Sequence, residues 1–154
     1  MFKNISILVI SLFALVSCGY SSIYSKNEGI NFSISSLEMD GSKQINQYIE
    51  PRLKKFMSVK KDNDYEIIIN TNLNRVTLAK DLKGIETDVK LITSLNLTLL
   101  KNKEEENIFF SKDFSIKKTS SNYEQNNYEK IIVNDLSKIL LDEVIMHLSN
   151  KNDN

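Results

Sequence analysis

The sequence predicts an α+β domain, a two-layer sandwich in which a four-stranded, mostly antiparallel sheet carries two helices packed on one face. Three stretches lead to this. Over residues 85–99 the odd positions read Ile85, Thr87, Val89, Leu91, Thr93, Leu95, Leu97 and Leu99. Facing the opposite way are Glu86, Asp88, Lys90, Ile92, Ser94, Asn96 and Thr98. A period of two held for so long is the pattern of a strand with one solvated face. Over residues 123–149, Ile132, Leu136, Leu140, Val144 and Leu148 recur every four positions, a helical stripe supported by Ile139 and Tyr128. Ile45, Tyr48, Ile49, Leu53 and Phe56 make a second, shorter stripe at spacings of three and four.

The remaining elements fall between these. In residues 30–37, Ile30, Phe32 and Ile34 alternate with Asn31, Ser33 and Ser35, which predicts a half-buried first strand. Asp40-Gly41-Ser42 then reads as a turn, with Asp40 or Ser42 as candidate cap of the first helix. Pro51 lies within that helical pattern and predicts a kink or an early break. After a charged loop at 60–64, Tyr65, Ile67, Ile69 and Leu73 define one face of a second strand. Glu66, Asn70, Asn72 and Asn74 define the other, with Ile68 and Val76 as apolar exceptions. Residues 78–84 read as a hairpin loop closing at Gly84, and 101–107 as a charged turn. Ile108, Phe110, Phe114 and Ile116 predict a fourth strand, with Phe109 and Lys112 each on the unexpected face. The polar cluster at 119–122 leads into the last helix.

The N-terminus is of another kind. Lys3 precedes residues 5–16, twelve positions that are apolar apart from Ser6 and Ser11, and the run ends in Leu15-Val16-Ser17-Cys18-Gly19. A bilayer-spanning helix needs about 20 apolar residues, so this run has the length of a signal-peptide core instead. Leucine, two modest side chains, cysteine and glycine together resemble the bacterial lipobox, which is cut just before a cysteine that already carries a lipid thioether. Cys18 is the one cysteine of the chain, so no intramolecular disulfide competes for it. The expected organisation is a lipoprotein signal peptide at 1–17, a lipidated polar tether at 18–29, one α+β domain at 30–149 and a frayed tail at 150–154. Gly19 after the cysteine, by resemblance to bacterial lipoproteins, points to the outer membrane and not to retention in the inner one.

Charge and motifs narrow the function. Twenty basic and twenty acidic residues balance, so no net field draws the protein to nucleic acid. Nucleophile-elbow, phosphate-loop and dinucleotide patterns are missing from the sequence. His147 is the sole histidine and lacks partners at ligand spacing, which makes it a surface or helix-end residue with no expected metal site. Glu104-Glu105-Glu106 reads as a solvated charge run in a turn. The chain is therefore expected not to be an enzyme and to carry no cofactor beyond the covalent lipid at Cys18. Arg75, Lys80, Lys83 and Lys90 gather around the second and third strands, and Lys112, Lys117 and Lys118 lie on the fourth. Such residues hold anionic phosphates, so the first four are candidate contacts for a phosphorylated glycolipid. Asp81, Glu86 and Asp88 are interspersed, and a plain solvated strand face is the competing reading.

Cys18-Gly19-Tyr20 with Tyr24 resembles the Cys-Gly-Phe/Tyr-x-Pro-Leu-Tyr opening of the LPS-assembly lipoprotein (LptE) family, although Ser21-Ser22-Ile23 fills the stretch where the family often has Pro-Leu. The order of elements through the C-terminal amphipathic helix is similar to that family over the whole chain after Cys18. The resemblance implies a partner rather than a reaction. Members plug the outer-membrane barrel LptD and assist lipopolysaccharide delivery to the outer leaflet. It also implies a lipid-anchored position on the periplasmic face of the outer membrane, and lipopolysaccharide contact through basic residues. Lys90 is the nearest match to an arginine that the family often has on its long strand. Two other roles fit the sequence: an auxiliary lipoprotein of an ABC-type lipid-trafficking system, and a lipoprotein activator of a peptidoglycan synthase. The short tether at 18–29 favours a partner at the membrane itself.

Overall fold

A computed structural model describes residues 31–58, 60–61, 63–101, 104–119 and 121–151. Cys18, the segments 1–17 and 18–29, Ile30 and residues 152–154 of the expected tail lie outside the described residues. The described elements are β1 (Phe32–Gly41), α1 (Lys43–Leu53) tightening into a 3-10 turn (Lys54–Met57), β2 (Asn63–Lys80), β3 (Glu86–Lys101), β4 (Glu104–Lys117) and α2 (Asn122–Asn150). The sheet order is β1-β2-β3-β4. The α+β class and the two helices stand.

The sheet is mixed, not mostly antiparallel. β2–β3 and β3–β4 are antiparallel hairpins, whereas β1 runs parallel to β2, from Phe32 opposite Asn63 to Gly41 opposite Thr71. The reason is the connection. A tight turn reverses a strand, but α1 carries the chain back along the sheet, and such a crossover returns the next strand in the same direction.

The strands also run past the limits that apolar residues suggested. β2 extends through Leu78–Lys80, and β4 begins at Glu104, inside the expected charged turn. Once a hairpin is set, ladder pairing continues whatever the side chains are: Lys80 lies opposite Glu86, and Lys101 opposite Glu104. At the other end, Asn150 closes α2 and Lys151 contacts Glu106, so these two residues of the expected tail are placed on the domain.

The core forms where the odd positions of β2 and β3 meet the helices. Tyr65, Ile67, Ile69, Val89, Leu91, Leu95, Leu97 and Leu99 are buried there with Ile45, Ile49 and Leu53 of α1. In α2 the buried apolar positions are Val133, Leu136, Leu140, Leu141, Val144, Ile145 and Leu148, while Ile132 of the expected stripe is only half-buried and Tyr128 and Ile139 are exposed. A strict spacing of four gains about 40° per step on a helix of 3.6 residues per turn. The true inner face therefore slides onto Val133, Leu141 and Ile145, and the two expected supports point outward. Pro51 is exposed two residues before α1 gives way to the 3-10 turn. Ser42 occupies the N-cap of α1 without a side-chain bond, and Ser121 caps α2 by accepting from the Glu124 N–H.

Candidate functional site

The structure does not bring Arg75, Lys80, Lys83 and Lys90 into one site. Arg75 is an odd residue of β2 and reaches toward α2. Its Nη1 and Nη2 donate to Glu86 at 3.2 and 2.9 Å, and its Nε lies 3.2 Å from both oxygens of Glu129. Glu129 also accepts from Gln125 Nε2 at 2.7 Å, and Gln125 Oε1 accepts from the Thr119 N–H at 2.9 Å. The Arg75 guanidinium, seconded by the Thr77 hydroxyl, holds the Glu86 carboxyl at about 2. The same pairing with Glu86 raises Arg75. This guanidinium is committed to fastening the tip end of the β2–β3 hairpin to the first turns of α2. No local pattern marks Glu129 as its partner, since that residue lies 54 positions further along the chain.

Lys90 stands on the opposite side of the sheet, with its Nζ 3.1 Å from Asp113. Lys112 reaches Glu143 of α2 at 2.6 Å, and Lys118 lies 4.0 Å from Glu86. Lys80 and Lys83 occupy the hairpin tip, and among the described residues no ion pair is formed by either.

That tip is a built turn. Asp81 Oδ1 accepts from the N–H groups of Lys83 and Ile85 at 2.8 and 2.9 Å, the Asp81 N–H donates to Ile85 O at 2.8 Å, and Gly84 adopts φ +79°. An aspartate that bonds its own backbone a few residues on fixes a turn without help from a core. The turn presents Leu82 fully to solvent, with Leu78 and Ile85 about half exposed beside it. Of these, Leu78 and Leu82 fall in the expected loop 78–84, and Ile85 in the expected third strand. Their signal was present, since a loop held by aspartate and glycine has no local need of leucines.

The open side of the sheet is polar, with an uncharged centre on β2 and β3. Asn70 lies opposite Asn96 and Asn72 opposite Ser94, and the rows continue into β4, where Ser94 meets Ser111 and Thr98 meets Asn107. Carboxylates line the β1 margin of this face, where Glu38 and Asp40 stand opposite Ile68 and Asn70; Glu66 and Glu105 lie at one end, and Lys90, Asp113 and Lys117 in the other half. Phe109, opposite Asn96, is 64% exposed in the middle, and Ile68 is exposed beside Thr98.

Two open clefts flank the Arg75 network. One, of about 490 Å³ between α1 and α2, has Leu73, Leu91 and Val133 as its floor and Lys43, Arg75 and Lys130 at its rim. The other, of about 610 Å³, lies where Ile85, Glu86 and Asp88 face Lys117, Lys118 and Asn122. His147 sits edge-on to Phe110, with ring centroids 6.5 Å apart, and its Nε2 is 3.5 Å from Glu106. Glu106 also binds Lys151, which lowers its carboxyl, so this glutamate belongs to the α2–β4 contact and not to a solvated turn. Among the described residues no three His, Cys, Asp or Glu side chains gather as a metal-holding group.

The architecture is one that lipoproteins adopt. The chain superposes on rare lipoprotein B from Shewanella oneidensis with a TM-score of 0.59 at 15% identity, over 76% of this chain and 96% of that one. It superposes on an uncharacterized lipoprotein B from Nitrosomonas europaea with a TM-score of 0.56 at 11% identity, over 84% and 92% of the two chains. At these identities the likeness is one of fold. The sequence matches no protein-family model and no curated protein.

Proposed function

We propose that this protein is a lipid-anchored lipoprotein of the bacterial outer membrane, held there through Cys18, and that it serves as plug and assembly partner of the LptD barrel in lipopolysaccharide transport. The observation that carries the reading is a conjunction. A chain with a lipobox-like Leu15-Val16-Ser17-Cys18-Gly19 continues into a fold shared with lipoproteins over more than nine-tenths of their length. The surface chemistry supports a macromolecular partner. A polar sheet face centred on asparagine, serine and threonine and bordered by charges suits a water-lined barrel interior, and exposed Phe109 supplies an apolar anchor within it.

In this reading Lys80 and Lys83 are the basic residues open to a phosphorylated lipid, because Arg75 and Lys90 are engaged with carboxylates. No catalytic step is assigned; the domain acts by docking. Affinity purification of the tagged full chain from outer membranes tests the proposal. Recovery of a large outer-membrane barrel in near-equal amount is the expected result. Its consistent absence, or recovery of an inner-membrane transporter or a peptidoglycan synthase in its place, overturns it.

A further inference from the structure

The two edges of the sheet are built differently. β1 is ten residues long, and its pairing slips between Ile34 and Ser36. Such an irregularity twists an edge away from further pairing. β4 is fourteen residues long, contains neither glycine nor proline, and pairs with β3 without one register shift from Glu104 to Lys117. The Lys118 N–H donates to Thr87 O, turned toward β3. With alternation along the strand, the odd residues from Glu105 to Lys117 turn their backbone N–H and C=O groups to the free side. Long and unbroken in register, this edge is a template for another strand.

Its charges say which strand. The beginning of β4 is acidic, with Glu104, Glu105 and Glu106, and its end is basic, with Lys117 and then Lys118. A strand of that polarity is complementary to itself when reversed. With Ser111 opposite Ser111 of a second copy, Glu105 meets Lys117 and Glu104 meets Lys118 at both ends of the pair. In the same register Ile108 meets Phe114, which is 44% exposed on the helix side of the sheet. Phe109 falls opposite Asp113, and Phe110 opposite Lys112. Odd residues meet odd residues throughout, as the outward-turned backbone groups require.

We propose that β4 is a homotypic docking edge, through which two copies of this chain pair antiparallel about Ser111 and join their four-stranded sheets into one of eight strands. The second copy is favoured over a foreign strand because opposite charges directly across an antiparallel pair attract, and this strand supplies both members of each pair itself. The inference does not depend on the barrel-partner reading.

Light scattering with sedimentation on the full chain in detergent micelles tests it. The wild type is expected to be a dimer of the protein component. Lys117→Glu alone and Glu105→Lys alone each place like charges at two symmetric contacts and should weaken the dimer by about tenfold. Combining the two substitutions exchanges the charges and should restore it. Lys117 forms no ion pair among the described residues, and Glu105 accepts only from Asn107 there, so neither change removes a core contact. A monomeric wild type overturns the proposal, as do single variants that stay fully dimeric or a combined variant that fails to recover.

Discussion

Gly41 and Gly84 are both exposed and both hold positive φ, at +97° and +79°, yet alanine should have very different effects at the two sites. At Gly41 an added Cβ would lie 1.9 Å from the carbonyl oxygen of Thr71 and 2.8 Å from its carbon. Thr71 cannot step aside. It sits within β2, paired to Leu95 on one side and to Gly41 on the other, and its hydroxyl donates to Asn46 at 2.6 Å. The left-handed backbone alone costs an alanine about 1–2 kcal/mol. Relieving the clash detaches the end of β1 and the bond from the Ser42 N–H to Thr71 O at 3.0 Å, a further loss of about 1 kcal/mol. Gly41→Ala should therefore destabilise the domain by about 3 kcal/mol in all. Nothing lies within 4 Å of a Cβ built at Gly84, so Gly84→Ala should cost only about 1 kcal/mol, for backbone conformation. For a domain of this size the melting points should fall by about 10 °C and about 4 °C respectively, read by far-UV circular dichroism and checked by urea unfolding. Equal losses at the two glycines would refute the close approach of β1 to β2 on which the larger figure rests.

Other expectations concern acid stability, packing and the anchor. Glu86 titrates at about 2 in the folded protein against an ordinary 4.5, so its contribution is complete above about pH 4.5 and fades as the pH falls toward 2. Glu86→Gln should accordingly destabilise most at neutral pH, with wild type and variant converging in acid; acid-unfolding curves that stay parallel would contradict the Arg75 clamp. Leu140→Ala removes a fully buried side chain and should cost about 2–5 kcal/mol, whereas Ile139→Ala, at the preceding residue but exposed, should stay within about 0.5 kcal/mol by urea unfolding. Cys18→Ala should leave an unlipidated precursor outside the outer-membrane fraction; normal fractionation with loss of only one sulfur from the mass would refute the lipobox reading.

Elements whose pattern is local were legible in the sequence. The alternation from Ile85 to Leu99 marked β3, and the spacing of Leu136, Leu140, Val144 and Leu148 marked α2, because a period of two or of 3.6 is written in consecutive residues. Strand ends were less legible. Lys80, Glu104 and Glu105 join strands only because a partner lies opposite, and no property of their own side chains announces that partner.

The candidate site shows the same division. That Arg75, Lys80, Lys83 and Lys90 are cationic was plain from the sequence. Charge in sequence does not say on which face a residue lies or which carboxylate lies across from it. Folding turns Arg75 inward to Glu86 and Glu129, gives Lys90 to Asp113, and leaves Lys80 and Lys83 beside the exposed Leu82. The amino-acid order by itself determined the element types, the two-layer class and the lipobox-like cysteine, each a matter of near neighbours. The direction of β1, the Arg75 clamp and the unbroken free edge of β4 were decided by tertiary structure, since each depends on residues brought together from distant parts of the chain.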